Sequence, residues 1–223
     1  MAKKTAVKLC GQTLAADIEY SFKRGADFCG VVVEVASSPR TQTIENAKPL
    51  FAVNAQKTFA LTADAPMSVL GEIARTLTPG FFQLTANEDA AAVAELRKRF
   101  GIPVFKSIHL PMAAEPGKTA AAFHALIDVY LAAGADGFVL DTKVPKMFGG
   151  SGKKSDWKLA ETVIRAYPGV KILLAGGIDP LNAAEAAALG PWGIDLASGV
   201  EVKPGIKSRD KIDALFSALE DNR

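Results

Sequence analysis

Short apolar runs alternate with longer stretches of helical period along the whole chain. The runs that read as strands are Ala6 to Cys10, Phe28 to Val33, Thr58 to Thr62, Phe81 to Leu84, Val104 to Ser107, Gly137 to Leu140, Lys171 to Leu174 and Gly193 to Leu196. Between them the pattern predicts helices such as Pro66 to Leu77, Asp89 to Phe100, Gly117 to Ala132, Ser155 to Ala166 and Pro180 to Leu189. Several of these open on Asp, Ser or Pro, and glycines such as Gly25, Gly101, Gly134 and Gly190 mark helix ends.

Strands buried on both faces read as continuous apolar runs, and strand–helix alternation implies right-handed parallel units. Eight such units, with no Pro/Gly/Ser linker dividing them, predict one (β/α)8 TIM barrel spanning residues 1–223. An open doubly wound sheet is the alternative. The third unit is ambiguous, because "LFAVNAQKTFALTAD" offers two apolar runs, and the second is taken as the strand.

Composition narrows the class. Hydrophobic residues make up 49% and charged residues 22%, with no low-complexity tract, as in a soluble globular protein. The 26 basic and 24 acidic residues are scattered, which argues against a nucleic-acid surface. Lys8 interrupts the N-terminal apolar stretch before a signal h-region forms, and no run reaches the roughly 18 apolar residues of a membrane helix. The expectation is a cytoplasmic protein. Cys10 and Cys29 are too few for a disulfide framework or a thiolate zinc site.

In a barrel of this kind, loops leaving the C-terminal ends of the strands build the active site. Cys10 ends the first strand and stands at the mouth, as a thiol tuned into a base or as a small apolar side chain. Cys29 lies mid-strand and reads as core. Asp141 ends the sixth strand, where a carboxylate faces a polar pocket or caps a turn. An acid and a base on opposite sides of a bound sugar are what an aldose–ketose rearrangement requires. "AGGID" (175–179) and "ASGVE" (197–201) follow strands seven and eight, the usual phosphate cradle of this barrel, and nominate Gly176, Gly177, Ser198 and Gly199. Arg40, after strand two, has the donor fork that fits a planar carboxylate, or is a surface arginine. His109, after strand five, reaches the mouth or, as the default, caps a helix or faces solvent; His124 reads as a helix residue; Lys153 with Lys154 closes over phosphate or, as the default, is a solvated loop pair.

Together "VKLCGQT", "GADFCGVVVEVASSPR", "FFQLTANED", "FVLDTKVPKMFGGSGKKSDW", "ILLAGGIDPLNA" and "GIDLASGVEVKPGIKSRDKI" resemble the phosphoribosylanthranilate isomerase family, covering most of the chain in family order. The resemblance implies an Amadori rearrangement of a small phosphosugar in tryptophan biosynthesis, needing no metal or cofactor. It implies Asp141 as general acid, Cys10 as general base, Arg40 on the anthranilate carboxylate, and Gly177, Ser198 and Gly199 in the phosphate cradle. The glycines of "GGSGKKSDW" would let that loop close over the sugar beside Asp141. Three places depart from the family pattern: "TFALT" in strand three, Thr85 where a histidine is expected, and Ala197 where a serine is expected. These departures leave open an enzyme for another aminated phosphosugar, or a silent phosphate-ligand binder. The chain is expected to act as a monomer or homodimer, with no nucleic-acid or membrane partner.

Overall fold

The computed structural model describes residues 5–111, 119–142 and 157–220. Eight parallel strands form the wall: β1 (Ala6–Leu9), β2 (Phe28–Val33), β3 (Thr58–Thr62), β4 (Phe81–Leu84), β5 (Val104–Leu110), β6 (Gly137–Thr142), β7 (Lys171–Leu174) and β8 (Gly193–Leu196). Each pairs with its sequence neighbour, and β1 pairs with both β2 and β8, so the sheet closes on itself. The helices α1 (Ala15–Arg24), α2 (Ile44–Asn54), α3 (Met67–Leu77), α4 (Ala90–Phe100), α5 (Ala120–Ala132), α6 (Trp157–Ala166), α7 (Ala183–Ala188) and α8 (Arg209–Glu220) lie between successive strands and after β8. The closed barrel, not the open sheet, is the fold.

Most boundaries follow the hydrophobic pattern to within a residue or two. The ambiguous apolar run "LFAVN" ends α2, and β3 takes "TFALT". β5 runs three residues further than the apolar run predicts, because β6 pairs with it continuously from Phe105↔Gly137 to Leu110↔Thr142. His109 is therefore a strand residue. α7 is shorter than expected: the Asp179 and Asn182 side chains tie up the Asp179 and Leu181 amides in a turn before it begins. Asp89 and Thr119 cap α4 and α5 by accepting from the Ala92 and Ala122 amides.

Alternation along the strands sorts side chains into two compartments. One face packs against the helices in the large outer core that includes Leu9, Val31, Phe82, Leu140 and Ile194. The other face fills the barrel in layers. At the N-terminal end, Phe28, Phe59, Phe81, Phe105 and Trp192 form an aromatic plug, with Phe59 and Phe81 stacked at 4.4 Å and Phe59 edge-on to Phe105 at 5.1 Å. Each such pair contributes about 0.5–1.5 kcal/mol beyond area burial. Above the plug sits a polar layer of Lys8, Gln83, Ser107 and Asp195, all buried. Above that is the mouth.

On the outer face, Lys106 points toward the helices and is only 2% exposed. It donates to the Ala86 carbonyl at 2.7 Å and pairs with Glu88 at 3.1 Å. Glu88 in turn accepts from the Asp64 and Ala86 amides, and the Tyr130 hydroxyl donates to its carbonyl. This cluster fixes the loop that follows β4, and with it Thr85 at the mouth.

Candidate active site

A cavity opens at the C-terminal ends of the strands. Its wall brings together Cys10, Arg40, Asp141, Gly176, Gly177 and Ser198, drawn from five different strand ends and loops. Gly199 stands apart: a Cβ there would fall 2.0 Å from the Ile178 carbonyl oxygen, so its role is to let the loops after β7 and β8 pack together. The expected closing loop at 149–155, with Lys153 and Lys154, lies outside the described residues.

Cys10 extends β1 by one residue, its amide donating to the Leu196 carbonyl at 2.8 Å. Parity with Lys8 turns its side chain inward, where it is 7% exposed. Burial pushes the thiol up, opposed by the Lys8 ammonium nearby. Cys29 is fully buried in β2 and is pushed up to about 12, chiefly by burial.

Beneath Cys10, the Lys8 ammonium donates to Asp195 Oδ2 at 2.7 Å and to Gln83 Oε1 at 2.9 Å. The Gln83 amide continues to Ser107 Oγ at 3.1 Å. Burial alone would lower the Lys8 ammonium, but Asp195 and Cys10 together hold it above its ordinary value. Among the described residues, Asp195 Oδ1 has no donor, and Asp195 also lines the cavity.

Arg40 is 5% exposed and is held by Glu201. Its Nε donates to Oε1 at 2.9 Å and to Oε2 at 3.2 Å, and its Nη2 donates to Oε2 at 2.6 Å. The fork expected to meet a ligand carboxylate is thus engaged along its Nε–Nη2 edge, and among the described residues no partner is hydrogen-bonded to Nη1. Gly11 is required here: its φ is +74° and a Cβ would overlap Arg40 Cδ. Lys207 completes the cluster, bonding Glu201 Oε1 at 3.0 Å and the Cys10 carbonyl. Burial would raise the Glu201 carboxyl, but the Arg40 hydrogen bonds and the Lys207 charge outweigh it and hold the group below its ordinary value.

Asp141 is half-buried near the end of β6 and lies beside His109 in the β5–β6 register, both side chains on the barrel's inner face. The ring Nε2 of His109 lies 2.8 Å from the Thr85 carbonyl, which only accepts, so Nε2 carries a proton. Thr85 turns its own hydroxyl away to the Thr62 carbonyl at 2.6 Å. The imidazole missing at position 85 is therefore supplied to the mouth from the next strand. His124, as expected, stays on α5, with its ring against Tyr167.

In the loop after β7, Gly176 and Gly177 take φ of +88° and +68°. Asn182 clamps the Gly177 carbonyl at 3.0 Å, and the planar trans peptide turns the Ile178 amide the opposite way. With Ser198 across the gap, this leaves a glycine-lined wall suited to an anion.

Sequence reasoning missed Lys8, Asp195, Gln83, Lys207 and Glu201, and gave His109 a place at the mouth only as the lesser alternative. For the first two a signal existed: a charge in the middle of the buried runs "AVKL" and "GIDL". Alternation alone puts both on the inner face.

A family model described as "N-(5'phosphoribosyl)anthranilate (PRA) isomerase" matches residues 7–218. A relative from Rhodopseudomonas palustris (strain BisB18), named N-(5'-phosphoribosyl)anthranilate isomerase, is 37% identical over 218 residues, covering 95% of this chain and 94% of its own length. A relative of the same name from Agrobacterium fabrum (strain C58) is 34% identical, covering 98% and 96%. The crystal structure of phosphoribosyl anthranilate isomerase from Thermus thermophilus superposes with a TM-score of 0.80 at 30% identity, over 98% of this chain and all of that one.

Proposed function

This chain belongs to the N-(5'-phosphoribosyl)anthranilate isomerase family, and from that membership we propose that its cavity carries out the Amadori rearrangement of N-(5'-phosphoribosyl)anthranilate. The product is 1-(2-carboxyphenylamino)-1-deoxyribulose 5-phosphate, and the step serves L-tryptophan biosynthesis in the cytoplasm. The observation that carries the reading is that Cys10 and Asp141 face one cavity from β1 and β6, with a glycine-lined anion wall on β7 and β8 between them.

The steps follow from that placement. Asp141 protonates the furanose ring oxygen. The C1′–O bond breaks as the anilino nitrogen's lone pair forms a C1′=N bond, giving an open-chain protonated Schiff base. Cys10, as thiolate, then takes the C2′ proton. The C–H pair becomes the C1′=C2′ bond and the iminium pair returns to nitrogen, leaving an enolamine that tautomerises to the ketone. Arg40, through its Nη1 end, meets the anthranilate carboxylate, while Gly176, Gly177 and Ser198 receive the phosphate. Gly199 contributes by letting those two loops approach. A buried thiol raised by desolvation is a poor source of thiolate, so the neighbouring cations matter to the second step.

The test is conversion of freshly made phosphoribosylanthranilate, followed by loss of its fluorescence. Cys10→Ser and Asp141→Asn are each expected to lose roughly 10²–10⁴-fold in kcat. Undiminished turnover in a folded Asp141→Asn variant would take that residue out of the acid role.

A further inference from the structure

We propose that Lys8 is the positioning residue that makes Cys10 a base: its ammonium, fixed from below by Asp195 and Gln83, pairs with the Cys10 thiolate at the floor of the cavity. The inference rests on the reading of Cys10 as the proton acceptor.

The geometry has three parts. Lys8 and Cys10 are two residues apart on one strand, so both point into the barrel. Gly30, on the adjacent strand, has both side chains beside it: a Cβ there would stand 2.9 Å from Cys10 Sγ and 3.3 Å from Lys8 Cε. The Lys8 ammonium has three protons, of which Asp195 Oδ2 and Gln83 Oε1 take two at 2.7 and 2.9 Å, leaving the third for sulfur.

The arrangement also keeps the lysine from competing for the proton. Asp195 holds Lys8 charged although it is completely buried. The Phe59 ring, 5.1 Å below Nζ, favours the same charged form from beneath. In the reaction the Cys10 thiol first loses its proton to solvent through the mouth. The thiolate then takes the C2′ proton, and the lysine stays an ammonium throughout.

The charged groups around the sulfur act in opposite senses. Lys8 and Lys207 favour thiolate, whereas Asp195 disfavours it. Arg40 also feels the thiolate as a favourable charge. Glu201 faces Arg40 and Lys207 and offsets part of their charge. Cys29 contributes nothing near neutrality, being pushed up to about 12 with burial the main cause.

These senses give the proposal a signed test: the pH dependence of Cys10 alkylation by iodoacetamide, read by mass spectrometry with Cys29 as the unreactive internal control. The full-length protein is compared with Asp195→Asn and with the paired variant Lys8→Met/Asp195→Asn, which removes both charges and leaves neither buried alone. Asp195→Asn removes an anion that disfavours the thiolate and leaves the Cys10 thiolate itself as the anion that keeps Lys8 charged, so alkylation at neutral pH should rise. The paired variant should fall about tenfold below wild type, a thiol midpoint higher by about one unit. Equal midpoints in wild type and a folded paired variant would overturn the proposal. Should the paired variant not fold, an unchanged or raised midpoint in Asp195→Asn would overturn it alone. Turnover is scored separately: a Cys10→Ser variant that keeps activity removes the catalytic reading, while the alkylation midpoints still judge the Lys8–Cys10 pairing.

Discussion

Replacing Glu201 by glutamine removes the one anion that two buried cations share. Arg40 and Lys207 are each 5% exposed, and Glu201 is 4% exposed. The carboxylate meets Arg40 through three donor–acceptor contacts between 2.6 and 3.2 Å and Lys207 at 3.0 Å. Removing one partner of a buried pair costs about 3–5 kcal/mol, because the other charge stays buried without compensation. Glutamine keeps one oxygen for a hydrogen bond, so a loss of about 3 kcal/mol is expected, or roughly 1–3 M in the urea midpoint.

The effect has a pH signature. The Glu201 carboxyl in the folded chain lies below its unfolded value of about 4.3. Its stabilisation is therefore fully present above that value and is lost as pH falls through the folded-state one. The gap between wild type and Glu201→Gln should thus be widest near neutrality and shrink on acidification. Urea unfolding of both proteins at a series of pH values measures it. A gap that stays constant into acid would refute the assignment of this carboxylate as the shared counter-ion.

Two other substitutions probe the site from different sides. Gly30→Ala places a methyl 2.9 Å from Cys10 Sγ and 3.0 Å from Leu61 Cδ1; a stability loss of about 1–3 kcal/mol is expected, with kcat falling more than KM rises, checked by denaturation and steady-state kinetics. Asn182→Ala frees the Gly177 carbonyl and the Asp179 amide, so KM should rise several-fold while kcat is largely kept; an unchanged KM would separate this clamp from the anion wall.

Much of the barrel was legible because each buried strand is a continuous apolar run, and such runs look alike wherever the chain places them. The third unit was harder: "LFAVN" has the apolar density of a strand, yet a preceding Thr43 cap and helical packing of Leu50 and Phe51 draw it into α2. The inner end of β5 was invisible for a different reason, since it depends on pairing with β6 rather than on its own residues. In the site, Cys10, Asp141 and the glycines could be placed from position in the cycle. Arg40 could not be assigned its partner, because Glu201 is 161 residues away and ordinary in local sequence. For His109 the sequence leaves the mouth and a peripheral role both open, because an imidazole after a predicted strand end carries no directional signal; the longer strand turns it inward.

Among the described residues, the aromatic plug closes the barrel at its N-terminal end and leaves the mouth as its opening. Phe59 and Phe105 are fully buried beneath the polar layer, so the axis offers no exit through the floor. Whatever enters the cavity must leave by the path it came, and a proton released at Cys10 has the same single way out. Substrate and product therefore contend for one doorway, and any element that shuts it governs arrival and departure together.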